Sequence, residues 1–191
     1  MTGWQHFTFA GLPVTLWRNG GGETREILSA AQGNADFDWR ASIATIAQDG
    51  PFSAFPGIDR SITLLSGAGA QLLAPPDISH SLTRAGEPFA FPGELAITAR
   101  LTAGVTTDFN IMTRRAVCHA QVIAARETLS VSTDQSGVIY VVSGEWQMPD
   151  GRRIRQGEGF CRATPAARAD TARIHTEHPD SLLLWAAIVF H

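Results

Sequence analysis

Arg60 is the first residue whose type and place suggest chemistry. It heads the run Arg60–Leu65, where a period of two puts Arg60, Ile62 and Leu64 on one face. If Ile62 and Leu64 face a core, Arg60 stands at its mouth pointing inward, and a guanidinium there would meet a carboxylate in bidentate fashion. The alternative is a surface arginine paired with the neighbouring Asp59. Asp108 and Asn110 likewise share a face, opposite Phe109 and Ile111. A buried Asp108 would need a partner, with Arg40 or Arg60 the obvious choice, either in a pocket or in a salt bridge tying the strands. Along Trp39–Ala47, Arg40, Ser42, Ala44 and Ile46 alternate with Trp39, Ala41, Ile43 and Thr45, and alternation alone leaves open which face is inner.

A second candidate is Trp17-Arg-Asn-Gly-Gly-Gly-Glu-Thr-Arg25. Its glycines permit positive φ and close backbone approach, and successive N–H groups could form an anion nest. It is not a phosphate fingerprint, because neither a Gly-Lys-Ser/Thr ending nor a Gly-x-Gly-x-x-Gly order is present. A plain connecting loop is the competing reading. Nucleophilic chemistry has little support. There is no Gly-x-Ser-x-Gly elbow, and Cys118 and His119, being adjacent in a strand, point to opposite faces. Cys118 reads as a buried structural residue. His175-Thr-Glu-His178 is the one close histidine pair, in a polar stretch before Pro179 that reads as a loop.

Composition narrows the classes. The net charge of −3 argues against a nucleic-acid partner, which needs a basic stripe. Arg152, Arg153 and Arg155 form the densest basic cluster and suit a solvated hairpin. All 15 basic side chains are arginine, so no lysine is available as a Schiff base or phosphate clamp. Two cysteines are too few for a disulfide framework. No apolar run reaches the roughly 18 residues that span a bilayer, and the N-terminus carries no signal-like stretch. A cytoplasmic protein without membrane or nucleic-acid partners is expected, as monomer or dimer.

These side chains must be positioned by strands. Short β-rich runs recur about every ten residues between Gly, Pro, Asp or Asn: Trp39–Ala47, Arg60–Leu65, Leu95–Leu101, Phe109–Met112, Gln121–Ala124, Val138–Val142 and Leu183–Phe190. No long stretch keeps a helical period, so the chain is all-β. It also repeats itself. Ile62-Thr-Leu-Leu-Ser-Gly67 matches Ile139-Tyr-Val-Val-Ser-Gly144, and Arg84-Ala-Gly-Glu-Pro-Phe89 matches Arg155-Gln-Gly-Glu-Gly-Phe160. Ser66 to Arg84 spans 18 positions and Ser143 to Arg155 spans 12, which an insertion around Pro75-Pro76-Asp77 explains.

A strand, a Gly-Glu turn and a second Gly-Glu or Gly-Asp turn before a further strand resemble the core of a cupin barrel, here in two copies. The chain as a whole resembles the HutD/Ves family of bicupins, and is closer to the Ves branch in layout. The residues carrying this are Leu16–Ile27, Phe37–Ile46, Asp49–Arg60 and Asp108–Arg114. The resemblance implies two cupin-like barrels, 1–115 and 116–191, an arrangement that allows strands to be exchanged between them. It implies ligand contacts from Trp17, Asn19, Gly20, Gly21, Glu23, Arg25, Arg40, Asp59, Arg60, Asp108 and Asn110. Most catalytic cupins hold a metal with a His-x-His pair, a glutamate and a further histidine. Phe52–Leu65 and Ser132–Val142, where the pair would fall, contain no histidine, so neither metal nor other cofactor is expected. The function implied is binding of a small carboxylate metabolite, with a regulatory role in catabolism that the family's name links to histidine utilisation. The alternatives are a metal-independent isomerase or hydrolase using Asp108 or Glu23 as general base, or a scaffold acting through protein contacts alone.

Overall fold

The computed structural model describes residues 3–33, 35–132, 134–165 and 169–191. In chain order the strands are β1 (Gln5–Thr8), β2 (Val14–Leu16), β3 (Gly22–Ala30), β4 (Trp39–Ile46), β5 (Gly50–Pro51), β6 (Ile58–Ser66), β7 (Ala70–Ala74), β8 (Ile78–Leu82), β9 (Pro88–Pro92), β10 (Thr98–Leu101) and β11 (Thr106–Arg114). There follow β12 (Cys118–Ala125), β13 (Leu129–Ser132), β14 (Ser136–Ser143), β15 (Glu145–Gln147), β16 (Arg153–Arg155), β17 (Glu158–Arg162), β18 (Thr171–Ile174) and β19 (Leu182–Phe190). The helical content among the described residues is one short 3-10 turn, Phe9–Gly11. None of their helices is long and apolar enough to cross a membrane.

Each of the seven expected strands is present, and most extend beyond the apolar run that signalled them. Trp39–Ala47 ends one residue sooner, at Ile46, and a larger exception is Leu95–Leu101, of which only Thr98–Leu101 is strand. Its first residues turn instead, Leu95 donating to the Pro92 carbonyl at 3.2 Å. Gly93 sits so close to backbone that a Cβ would come within 2.7 Å of the Ile58 carbonyl oxygen.

Two compact units form, one of residues 13–119 with His191, the other of residues 1–12 with 120–190. Relative to a division at 115/116, the first twelve residues fall with the C-terminal unit, where β1 pairs antiparallel with β17. The 13–119 unit holds a six-stranded sheet, β2-β3-β4-β11-β6-β9, and a four-stranded sheet, β5-β10-β7-β8. Apolar side chains of both sheets meet in one core: Ile62 and Leu64 of β6, Leu72 of β7, Leu82 of β8 and Ala99 of β10. Burial at this depth is worth about 1.5–3 kcal/mol for each large aliphatic side chain. The other unit is built on the sheet β1-β17-β14-β19-β12 with two ribbons, β13-β18 and β15-β16. Its core carries Trp4, Trp146 and Trp185. Arg152, Arg153 and Arg155 lie at the β15–β16 hairpin, where Asp150 and Glu145 pair with them.

The repeated strings occupy matching places in these sheets. Ile62 pairs with Phe89 across β6–β9, and Ile139 with Phe160 across β14–β17. Gly86 donates to the Leu64 carbonyl at 3.0 Å, and Gly157 to the Val141 carbonyl at 3.0 Å. A register shift separates Asp108↔Leu64 from Thr107↔Ser66, and one also separates Val141↔Leu183 from Ser143↔Leu182. Gly67 and Gly144 both have positive φ, +90° and +79°.

Candidate functional site

The register across β4, β11 and β6 decides which side chains share a face. Directly opposed residues form three rows: Arg40–Met112–Arg60, Ser42–Asn110–Ile62, and Ala44–Asp108–Leu64. Residues one position along, including Trp39, Ala41, Ile43, Phe109 and Ile111, lie on the other face and are buried there. The polar face of β4 is therefore the one that carries the site. Over it lies a cavity of about 670 Å³, a size ordinary for a small-molecule site.

Two further segments wall the cavity. From the first hairpin come Thr15, Leu16, Trp17, Arg18, Asn19 and Thr24. Trp17 is fixed by its indole N–H donating to the Thr24 hydroxyl at 2.8 Å. The loop after β5 contributes Phe52, Ser53 and Phe55. It is pinned by Phe52 N–H donating to the Ile97 carbonyl and Phe55 N–H to the Gly93 carbonyl, at 2.8 and 2.7 Å.

Arg60 is 8% exposed and points into this space. Its guanidinium carbon lies 5.2, 5.8 and 5.1 Å from the ring centroids of Phe52, Phe55 and Phe91, an aromatic collar that favours a cation. One N–H reaches the Ser53 carbonyl at 3.5 Å, while the buried Nε has no hydrogen-bond partner among the described residues. Burial lowers the Arg60 pKa to about 10, with Asp108 opposing and Arg40 adding to the shift. The guanidinium remains charged at neutral pH.

Asp108 is 1% exposed, and neither carboxyl oxygen has a hydrogen-bond partner among the described residues. The expected salt bridge tying the strands is therefore not formed. Burial raises its carboxyl to about 7, with the Arg60 charge pulling the other way. Asn110 Oδ1 is likewise buried without a partner. Arg40 is committed elsewhere, its Nε lying 2.7 Å from Glu26 Oε2.

Six of the expected ligand residues thus line one cavity: Trp17, Asn19, Arg40, Arg60, Asp108 and Asn110. Five do not. Asp59 points away from Arg60 and pairs with Arg115 at 2.7 Å. Glu23 and Arg25 flank the inward Thr24, so strand parity turns them outward, where they pair at 3.2 Å. Gly20 and Gly21 belong to a tight turn that uses its own amides, Gly20 N–H donating to the Trp17 carbonyl and Gly21 N–H to Asn19 Oδ1, both at 3.0 Å. That removes the expected anion nest. The aromatic pair Phe52 and Phe55 was missed as part of the site, although both lie in the Asp49–Arg60 motif.

A divalent metal does not fit here. The floor offers two cations and one carboxylate, with no imidazole, and no group of three His, Cys, Asp or Glu side chains among the described residues could hold an ion. Cys118 and Cys161 are free and buried, and burial pushes both thiols up to about 11, away from thiolate chemistry.

A family model described as HutD matches residues 10–183. Protein Ves of Citrobacter koseri is 44% identical over 158 residues, 82% of either chain. The chain belongs to the HutD family. The solved HutD of Pseudomonas fluorescens is 25% identical and superposes with a TM-score of 0.85 over 98% of this chain and 99% of that one. A cupin 2 conserved barrel domain protein from Leptotrichia buccalis is 10% identical, with a TM-score of 0.61 over 97% and 96% of the two chains, a likeness of fold alone. This HutD-family chain is thus a nearly all-β protein of cupin-like fold.

Proposed function

We propose that this HutD-family protein binds a small carboxylate metabolite in the cavity of residues 13–119 and reports on catabolism rather than running it, histidine utilisation being the context the family's name suggests. The observation that carries the reading is Arg60, a buried guanidinium collared by three phenylalanines, with a donor that has no partner among the described residues. A cation is costly to bury unless something anionic completes it. A carboxylate from solution is the species an arginine fork accepts best.

The same proposal takes the two halves as copies of one unit, on the support of the matching registers. A second reading, metal-independent acid–base catalysis, is favoured by Asp108, whose carboxyl near 7 is poised to exchange a proton at neutral pH. Glu23 drops out of that reading because it faces away from the cavity.

Arg60→Ala tests the proposal. Calorimetric titration with valerate, a plain aliphatic carboxylate, should show affinity falling roughly 10- to 150-fold, the worth of a charge-assisted contact. Equal affinity in variant and wild type would remove Arg60 from the site. A thermal melt on the same samples separates loss of binding from loss of fold.

A further inference from the structure

The three rows on the floor separate charge. One row holds Arg40 and Arg60, the middle row Ser42 and Asn110, and the last row Asp108 between Ala44 and Leu64. Arg60 and Asp108 stand four strand positions apart, about 13 Å along the backbone. Their side chains are near enough for each charge to act on the other, yet no hydrogen bond joins them. On the same floor, three buried acceptors have no hydrogen-bond partner among the described residues: both Asp108 oxygens and Asn110 Oδ1.

Leaving buried acceptors unmade is expensive, of a size that a fold seldom tolerates without reason. The cupin-like sheet does not itself require them. By register, the places of Arg60, Asn110 and Asp108 are taken in the β14–β19 pair by Gly137, Trp185 and Leu183. An apolar trio therefore satisfies the same ladder. The acceptors call for donors, and a ligand seated in the cavity can bring them.

We propose that the ligand is amphoteric: a small molecule lying along β11 with its carboxylate on Arg60 and an N–H group, of the amine, amide or guanidine type, on Asp108 and Asn110. This rests on the carboxylate reading above and narrows it. A molecule with a carboxylate alone would leave the Asp108 pole unanswered. One with two carboxylates would put a second negative charge against it.

The test titrates four probes of similar length into wild type, Asp108→Asn, Asp108→Leu and Arg60→Ala: valerate, δ-aminovalerate, glutaramate and γ-guanidinobutyrate. In wild type at least one of the three N–H-bearing probes binds about 10-fold or more tighter than valerate. Both Asp108 variants lose that preference, the ratio being taken against valerate in the same variant, and melts on the same samples report the fold. The inference is overturned if valerate binds as tightly as all three, or if the preference survives in both Asp108 variants. Valerate binding that depends on Arg60 would then leave the carboxylate reading standing. Failure of all four probes to bind wild type would sink that reading, and this inference with it.

Discussion

Asp108 is an acid buried with no hydrogen-bond partner among the described residues, and the consequence is readable in stability. Its carboxyl rises from 3.8 to about 7 because burial disfavours the ionised form more than Arg60 favours it. Below both values the folded and unfolded chains are equally protonated. Between about 4 and 7 the unfolded chain releases a proton that the folded chain keeps, so this residue's contribution to stability falls as pH rises. Above about 7 both states are ionised and the penalty stays constant, on the order of a few kcal/mol. Asp108→Asn removes the effect. Urea unfolding should show the variant gaining more over wild type at pH 8 than at pH 5, and equal differences at both would disprove the shift. The period of two was enough to place Asp108 with Asn110, and Arg60 with Ile62, on shared faces. That Asp108 has no hydrogen-bond partner among the described residues was not legible, because arginines at positions 40 and 60 both suggested one. Only the ladder shows Arg40 drawn off to Glu26.

Among the elements, the first hairpin shows how one loop can look right for a wrong reason. Three successive glycines suggested a backbone nest, but a positive φ occurs only at Gly20, +69°, in open space. Gly22 is needed for another cause: a Cβ there would sit 2.2 Å from the Thr45 carbonyl oxygen, with the Trp17 ring at 3.1 Å. The hairpin's use to the site is to pack Trp17 and Asn19 as a wall, which requires β3 to lie tight on β4. Gly22→Ala should force that pairing apart, costing roughly 1–3 kcal/mol as overpacking does, and should weaken valerate binding. Gly20→Ala meets only the left-handed backbone cost, roughly 1–2 kcal/mol, and should bind normally. Melts and titrations of the two side by side check this, and equal binding by both would show that the wall is unimportant. Parity explains the other misplacements at this scale. Thr24 faces in, so Glu23 and Arg25 face out, and a sequence window of polar residues does not say which of them the bulge between Glu26 and Leu28 turns inward. Phe52 and Phe55 lie in a loop, where no period applies, and hydrogen bonds to Ile97 and Gly93 fix them.

At the scale of the whole chain, the matching registers of the two units were legible in two pairs of short strings, and what differs between the units was not. The strings mark turns and ladder ends, which both units need. The floor residues lie between and across from them, where Arg60, Asn110 and Asp108 face Gly137, Trp185 and Leu183 by register and share no residue type. In the unit of residues 1–12 and 120–190, Trp185 is 3% exposed and packs with Trp4 at 5.7 Å between ring centroids. Its ring atoms would lie 2.9 Å from a Cβ on Gly137, so the ring fills the place that the arginine side chain uses in the other unit. One unit has an open polar floor, and at the corresponding register positions the other has a buried tryptophan. Two measurements follow. Titration should saturate at one valerate per chain, not two. Trp185→Ala should cost about 3–5 kcal/mol, lowering the melting temperature by roughly 6–20 °C for a chain of this length, while leaving affinity at Arg60 unchanged. A second binding event in wild type, or a Trp185→Ala protein that melts with wild type, would show that the tryptophan does not fill a redundant site.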